Sequence, residues 1–192
     1  MLNAVQMVPA TGRMRPGSRP GPHPERVSVR RMQPDDYPMV AERVDAWSGG
    51  RFLGVALPRS FLQHFADTSL LLLEDTQPVG VLVGFRSQTS AEIAYIHYVS
   101  ISRACRRRGL GRTLFSHFFD LAGSMGCTEV HSIASPVSSS LIAFHRQIGF
   151  EVVDGGGFAH GIAVFADYAG PGQHRVLFRK RLAAVPTPTL AG

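Results

Sequence analysis

Three apolar runs follow one another along the chain with only short turns between them, at 70–74 (LLLLE), 79–85 (VGVLVGF) and 93–101 (IAYIHYVSI). Runs of this length, rich in β-branched and aromatic residues, read as strands. Short links between successive strands require antiparallel pairing, because a parallel neighbour needs a crossover of roughly a dozen residues or more. Asp75-Thr76-Gln77-Pro78 supplies the first of these turns. After the third run, Leu110, Leu114, Phe118, Leu121, Ala122 and Met125 recur at helical spacing, and a fourth apolar run follows at 130–134. That strand–helix–strand unit implies one parallel pair with a right-handed crossover. The order excludes a doubly wound parallel sheet. It predicts an α/β fold of the α+β kind, with a mixed, mostly antiparallel central sheet and helices on both faces.

The other elements attach to this frame. Residues 27–30 alternate and read as a strand. Pro34-Asp35-Asp36 opens a helix with acids at its positive end, and Ser48-Gly49-Gly50 stops it after Trp47. Pro58 starts a second helix over 60–66. A short helix is expected over 138–148, ended by Gly149, with late strands at 150–153 and 176–182. Residues 1–25 carry five prolines and three glycines without a hydrophobic period, and are expected to form a disordered basic arm. A single domain is expected over 26–183, with a frayed tail at 184–192.

The charge must be placed before it is interpreted. The net charge is +6, carried by 19 Arg and one Lys, but it falls in three basic blocks, 1–31, 103–112 and 175–192, separated by acidic segments. A broad basic face for nucleic acid is therefore not expected. Two cysteines exclude a disulfide scaffold, and no His/Cys cluster has zinc spacing, so no metal is expected. No apolar stretch approaches the ~18 residues of a membrane helix, and the N-terminus lacks the apolar core of a secretory signal. The expected compartment is cytoplasmic.

The middle basic block carries the chemistry. A strand ends near Ile101, an arginine-rich loop with Gly109 and Gly111 follows, and an amphipathic helix begins at once. Glycines let a ligand approach the backbone, a helix start offers free N–H groups, and arginines match phosphate geometry. Together they form a candidate diphosphate site. The stretch lacks the Gly-Lys-Ser/Thr of a nucleotide loop and the first glycine of a dinucleotide fingerprint.

Arg106-x-x-Gly109-x-Gly111, followed about thirty residues later by Ala143-Phe144-His145-Arg146-Gln147-Ile148-Gly149-Phe150, resembles two motifs of the GNAT superfamily of acyl-CoA-dependent N-acetyltransferases. The resemblance spans roughly 27–182 and implies acetyl-CoA as cofactor and an amine as acceptor. It implies that Val99, Ser100 and Ile101 pair with the pantetheine arm on a splayed strand edge. The pyrophosphate would lie on Arg106, Arg107, Arg108, Gly109, Leu110 and Gly111, with Arg112 in the first helical turn. A backbone N–H near Val99 would stabilise the oxyanion at the attacked carbonyl. His145 stands where the family commonly has a tyrosine that protonates the leaving thiolate; an imidazole suits that role, or it simply packs. Ser138 replaces a common Asn and remains an adequate helix cap.

Strict alternation along 93–101 puts Tyr95, His97, Val99 and Ile101 on one face and Ala94, Ile96, Tyr98 and Ser100 on the other. His97 is then the expected base, with Tyr95 and Glu92 behind it, or a satisfied buried histidine. Trp47, Arg51 and Tyr168 are expected to line the acceptor site, although Trp47 also reads as a packed helix end. The family's habit of pairing through late strands implies a homodimer. The expected function is N-acetyl transfer to a small-molecule or peptide amine by direct attack in a ternary complex. The alternative is a non-catalytic acyl-CoA-binding or RNA/ribosome-associated relative.

Overall fold

A computed structural model describes residues 26–47 and 57–183. The expected meander is present. Strands β1 (Val27–Arg31), β2 (Leu70–Glu74), β3 (Gln77–Arg86) and β4 (Ile93–Ile101) pair antiparallel in that order. Helix α1 (Tyr37–Trp47) and helix α2 (Arg59–His64) lie between β1 and β2. The acids ahead of α1 work in a 3-10 turn at Pro34–Asp36. There the Asp36 carboxylate takes both Arg30 guanidinium nitrogens at 2.7 and 2.8 Å and the Gln33 N–H at 2.7 Å. The Arg30 guanidinium holds the Asp36 carboxyl below its usual range.

Helix α3 (Leu110–Ser124) crosses over to β5 (Glu129–Ala134), which pairs parallel with β4. Helix α4 (Ser139–Gln147) and β6 (Glu151–Val152) follow, and β9 (Val176–Arg181) inserts between β5 and β6. The sheet order is β1-β2-β3-β4-β5-β9-β6, with the β4–β5 pair parallel and the other pairs antiparallel. A small hairpin of β7 (Gly157–Ala159) and β8 (Ile162–Val164) stands apart; its glycine-rich sequence carries no alternation that marks it in advance.

Two cores cover the two faces, as alternation in β2 requires: Leu70 and Leu72 turn to one, Leu71 to the other. The first gathers Leu114, Phe115 and Phe118 of α3 with Ile142 of α4. The second gathers Val40, Val44 and Trp47 of α1 with Leu62 of α2.

The alternation expected along β4 fails at one point. Val83 faces Tyr98 and the next residue, Gly84, faces Ile96, so His97 is an extra residue without a partner on β3. This bulge reverses the parity. Ala94 and Ile96 enter the α3 core, and Val99 and Ile101 pack against that same core, whereas Tyr98 enters the α1–α2 core. The expected sorting of Val99 and Ile101 with His97, and of Tyr98 with Ala94 and Ile96, is thereby corrected. The bulge is secured by Thr68, whose Oγ1 donates to the Gly84 carbonyl at 2.6 Å. It also demands a glycine: a Cβ on Gly84 would lie 2.5 Å from the Phe118 ring and 2.9 Å from the Tyr95 carbonyl.

Candidate functional site

β4 and β5 part where the bulge begins. Their pairing ends at Ile96–Ser132, while β4 continues to Ile101 and β5 continues to Ala134 along β9. Beyond Ile96 no strand of the described residues lies on the β5-facing edge of β4, so its N–H and C=O groups are open to an extended ligand. A cavity of about 750 Å³ fills the gap, running from the arginine loop past Val99, Ser100 and Ile101 to His97, Ser132 and Arg175.

The loop is shaped for an anion. Arg107 (φ 65°) and Gly109 (φ 81°) are both left-handed and coil the chain tightly ahead of α3. Gly109 caps the helix, and a Cβ there would meet nothing within 4 Å, so protein packing does not explain its glycine. The left-handed turn requires it. The first N–H groups of α3 open into the cavity, which Arg106, Arg107, Gly109, Leu110, Gly111 and Arg112 line.

The arginines divide their work. The Arg106 guanidinium donates to the Ile101 carbonyl at 3.1 Å and, at 2.5 Å, to the carbonyl of Trp47, the last residue of α1. It thus bolts the loop to the opposite helix layer. Arg108 turns away and pairs with Glu74 at 2.6 Å, outside the cavity lining. Arg107 and Arg112 are exposed and remain in the lining. Of the expected anion-binding arginines, these two line the cavity with neither a carboxylate nor a backbone carbonyl on the guanidinium among the described residues.

His97 lies at the other end. It is exposed and stacks on Phe61 of α2, with ring centroids 4.2 Å apart and 12° between planes. Rings continue from Phe61 through Phe65 and Phe85 to Tyr95. Burial, with the Tyr168 hydroxyl nearby, pushes Tyr95 up to about 12, so it remains a phenol at neutral pH and serves as a hydrogen-bonding group rather than a base. Tyr95 and Tyr168 line a second cavity of about 440 Å³, which shares Ser132 and Ile133 with the first. Trp47 lines neither cavity; its indole is buried in the α1–α2 core. Arg51 lies outside the described residues.

His145 is 1% exposed, stacked on Phe178 at 4.5 Å and ringed by Phe115, Phe144 and Phe150. The Leu141 carbonyl, 2.9 Å from Nδ1, can only accept, so Nδ1 carries the proton. Nε2 then accepts from the Ser132 hydroxyl at 3.3 Å. Desolvation lowers its pKa, which keeps the ring neutral. Its one N–H is spent on its own helix, so the geometry offers no imidazole proton for a thiolate and supports the packing alternative. Ser132 and His145 both line the cavity, and the Ser132 hydroxyl is held by the ring. Ser138 occupies the N-cap of α4 in the lining, without a side-chain capping bond.

Ser132 and Arg175 were not singled out in the sequence. Ser132 left a trace, a polar residue on the buried side of the Val130-x-Ser132-x-Ala134 alternation. Arg175 left none, because its place depends on the register of β9 against β5.

The family model of the acetyltransferase (GNAT) family matches residues 27–150. Solved structures of the same fold include Ard1 from Thermoplasma volcanium, at 19% identity and TM-score 0.67 over 82% of this chain and 98% of that one. The Salmonella typhimurium protein yncA, solved with its cofactor acetyl-CoA, aligns at 15% identity and TM-score 0.61 over 86% of this chain and 99% of that one. N-acetylglutamate synthase from Neisseria gonorrhoeae, complexed with coenzyme A and N-acetyl-glutamate, aligns at 18% identity and TM-score 0.63 over 84% of this chain and 36% of that one. A comparison with curated protein sequences gives no significant match.

Proposed function

The chain belongs to the GNAT acetyltransferase family, whose cofactor is acetyl-CoA, and from that premise we propose that it transfers the acetyl group to a primary amine of a small molecule or peptide. The observation that carries this reading is the parting of β4 from β5 over a cavity with an anion loop at one end and His97 at the other. Acetyl-CoA supplies an activated thioester. The residues suited to hold it are Val99, Ser100 and Ile101 through their backbone, and Arg107, Gly109, Leu110, Gly111, Arg112 and Ser138 along the loop and the two helix starts. Arg106 acts on this site by fastening the loop to α1.

His97 is the residue suited to take the proton of the attacking amine, directly or through a water. The Phe61 ring fixes its imidazole plane. The backbone N–H groups of the open β4 edge near Val99 favour negative charge on the carbonyl oxygen under attack. At the leaving side the Ser132 hydroxyl, oriented by His145, can hydrogen-bond a departing thiolate. The test measures free-thiol release from acetyl-CoA with an amine panel, as a function of pH. For an accepted amine, His97→Ala should abolish the acidic limb of the kcat/KM profile; an unchanged limb rejects the assignment.

The buried neutral state of His145 favours a second reading, a protein that binds acyl-CoA without turnover. It predicts tight acetyl-CoA binding and no thiol release with any amine. The cytoplasm and a homodimer are the setting and assembly that accompany the first reading; fractionation and sedimentation test them.

A further inference from the structure

Among the described residues the large cavity is lined by four arginines and by no carboxylate. Arg106, Arg107 and Arg112 belong to the anion loop and the start of α3. Arg175 comes from elsewhere: it immediately precedes β9, whose Val176 pairs with Ala134 of β5. Its backbone is fixed by two hydrogen bonds with Phe165, at 2.9 and 3.1 Å. Its side chain is half-buried, and its charge is felt at the Tyr95 hydroxyl, as is that of Tyr168. Arg175 therefore stands at the His97 end of the cavity, opposite the loop that explains the other three.

Its partners do not answer its charge. One terminal nitrogen donates to the His174 carbonyl at 2.9 Å and the other to the Gln173 side-chain oxygen at 3.0 Å, both neutral acceptors. Among the described residues no carboxylate lies within ion-pair distance of it. The two arginines of β9 itself do find acids: Arg179 reaches Glu151 at 3.4 Å and Arg181 reaches Glu129 at 3.9 Å. In the loop beside it, the Asp167 carboxylate accepts the Gly172 N–H at 2.7 Å. A half-buried guanidinium on neutral acceptors gives up hydration without gaining a counter-charge, and an anionic ligand restores the balance. A purely cationic acceptor would meet repulsion at this end of the cavity.

Building on the acetyl-transfer reading, we propose that the acceptor is an amine that also carries a carboxylate, of the free amino-acid class, and that Arg175 binds that carboxylate while the amine faces His97. The Tyr95 phenol, which stays protonated, can donate a second hydrogen bond to the same group. A guanidinium forms charge-assisted bonds to a carboxylate that a carboxamide cannot replace.

The experiment uses the full chain with acetyl-CoA and thiol release as readout. The acceptors are the common amino acids, their carboxamides and the matching decarboxylated amines. Expected is turnover of one or more amino acids, with kcat/KM lower for the carboxamide and the bare amine by on the order of 100-fold. Arg175→Gln should raise KM for the amino acid by a similar factor with kcat little changed, and erase the preference over the carboxamide. Arg175→Lys should restore part of it. Acetyl-CoA affinity, measured by calorimetry, should be the same in all three proteins, which also reports that the site is folded. Equal or better turnover of the bare amine, or an acid preference that survives Arg175→Gln, overturns this inference and leaves the acetyl-transfer reading standing. Tight acetyl-CoA binding with no turnover of any acceptor overturns both.

Discussion

His145 should make the fold acid-sensitive in a way that a single substitution removes. In the folded chain its ring is 1% exposed, its Nδ1 proton is held by the Leu141 carbonyl, and desolvation lowers its pKa. Unfolded, it titrates near its usual value of about 6.5. Below that pH the unfolded chain binds a proton that the folded chain refuses, so stability is complete above about 6.5 and falls as the pH drops toward the folded pKa. One such proton costs up to about 1.4 kcal/mol by pH 5.5, or roughly 3–6 °C of melting temperature for a domain of this size. Other groups titrate over the same range, so the informative quantity is the stability gap between wild type and His145→Phe. Phenylalanine keeps the stacking on Phe178 but leaves the Ser132 hydroxyl without its acceptor, and the variant should be weaker at pH 7.5 by about 1–3 kcal/mol. Urea unfolding at pH 7.5 and 5.5 should show that gap narrowing by up to about 1.4 kcal/mol, because only the wild type carries the refused proton. A constant gap would refute the buried neutral imidazole, and a widening one would mean a charged, stabilised ring able to donate after all.

The remaining predictions concern the loop and the bulge. Arg107→Gly relieves a left-handed side chain, so stability should hold or rise by less than about 1 kcal/mol while acetyl-CoA affinity falls about tenfold; Arg108→Ala, whose side chain lies on Glu74 outside the cavity, should leave affinity unchanged in the same calorimetry. Arg106→Met removes the bonds to the Trp47 and Ile101 carbonyls and should cost about 1–2 kcal/mol in urea unfolding. Gly84→Ala forces a methyl against Phe118 and the Tyr95 carbonyl and should cost about 1–3 kcal/mol, read from the denaturation midpoint.

The frame was legible because its signals are local. The leucine run at 70–74, the nine-residue strand at 93–101 and the helical spacing from Leu110 onward each declare their own conformation, and their order implies the meander and the single crossover. The anion loop was legible for the same reason: Gly109 stands where a left-handed cap is needed and occupies it. What stayed hidden depends on partners distant in sequence. Nothing near Arg106 announces that its guanidinium will seek the end of a helix 59 residues earlier. Nothing near His145 announces that it will spend its proton on its own helix and close against Ser132 inside a cage of phenylalanines.

The bulge joins these two kinds of information. A strand of alternating residues allows only one sorting onto two faces, and under that sorting His97 shares a side with Val99 and Ile101. One unpaired residue breaks the sorting at the point where the strand changes duty. Up to Ile96, β4 is a two-sided member of the sheet, paired to β3 and β5 and buried on its α3 side by Ala94 and Ile96. From His97 onward it pairs, among the described residues, on one side only, and its other edge is open to a ligand. Without the shift, Tyr98 would point into the α3 core, and Val99 and Ile101 would leave it. With the shift, Tyr95, His97 and Tyr98 all face the α1–α2 layer, and the small residue at Gly84 and the hydroxyl of Thr68 accommodate the irregularity. A structural feature with two dedicated supports, located where β4 and β5 separate, is best understood as the device that seats Tyr98 beside His97 on the α1–α2 side while it keeps Val99 and Ile101 against the α3 core. Deleting His97 should therefore restore regular pairing with Tyr98 still in the α1–α2 core, so the urea midpoint should hold while the ring that stacks on Phe61 is lost.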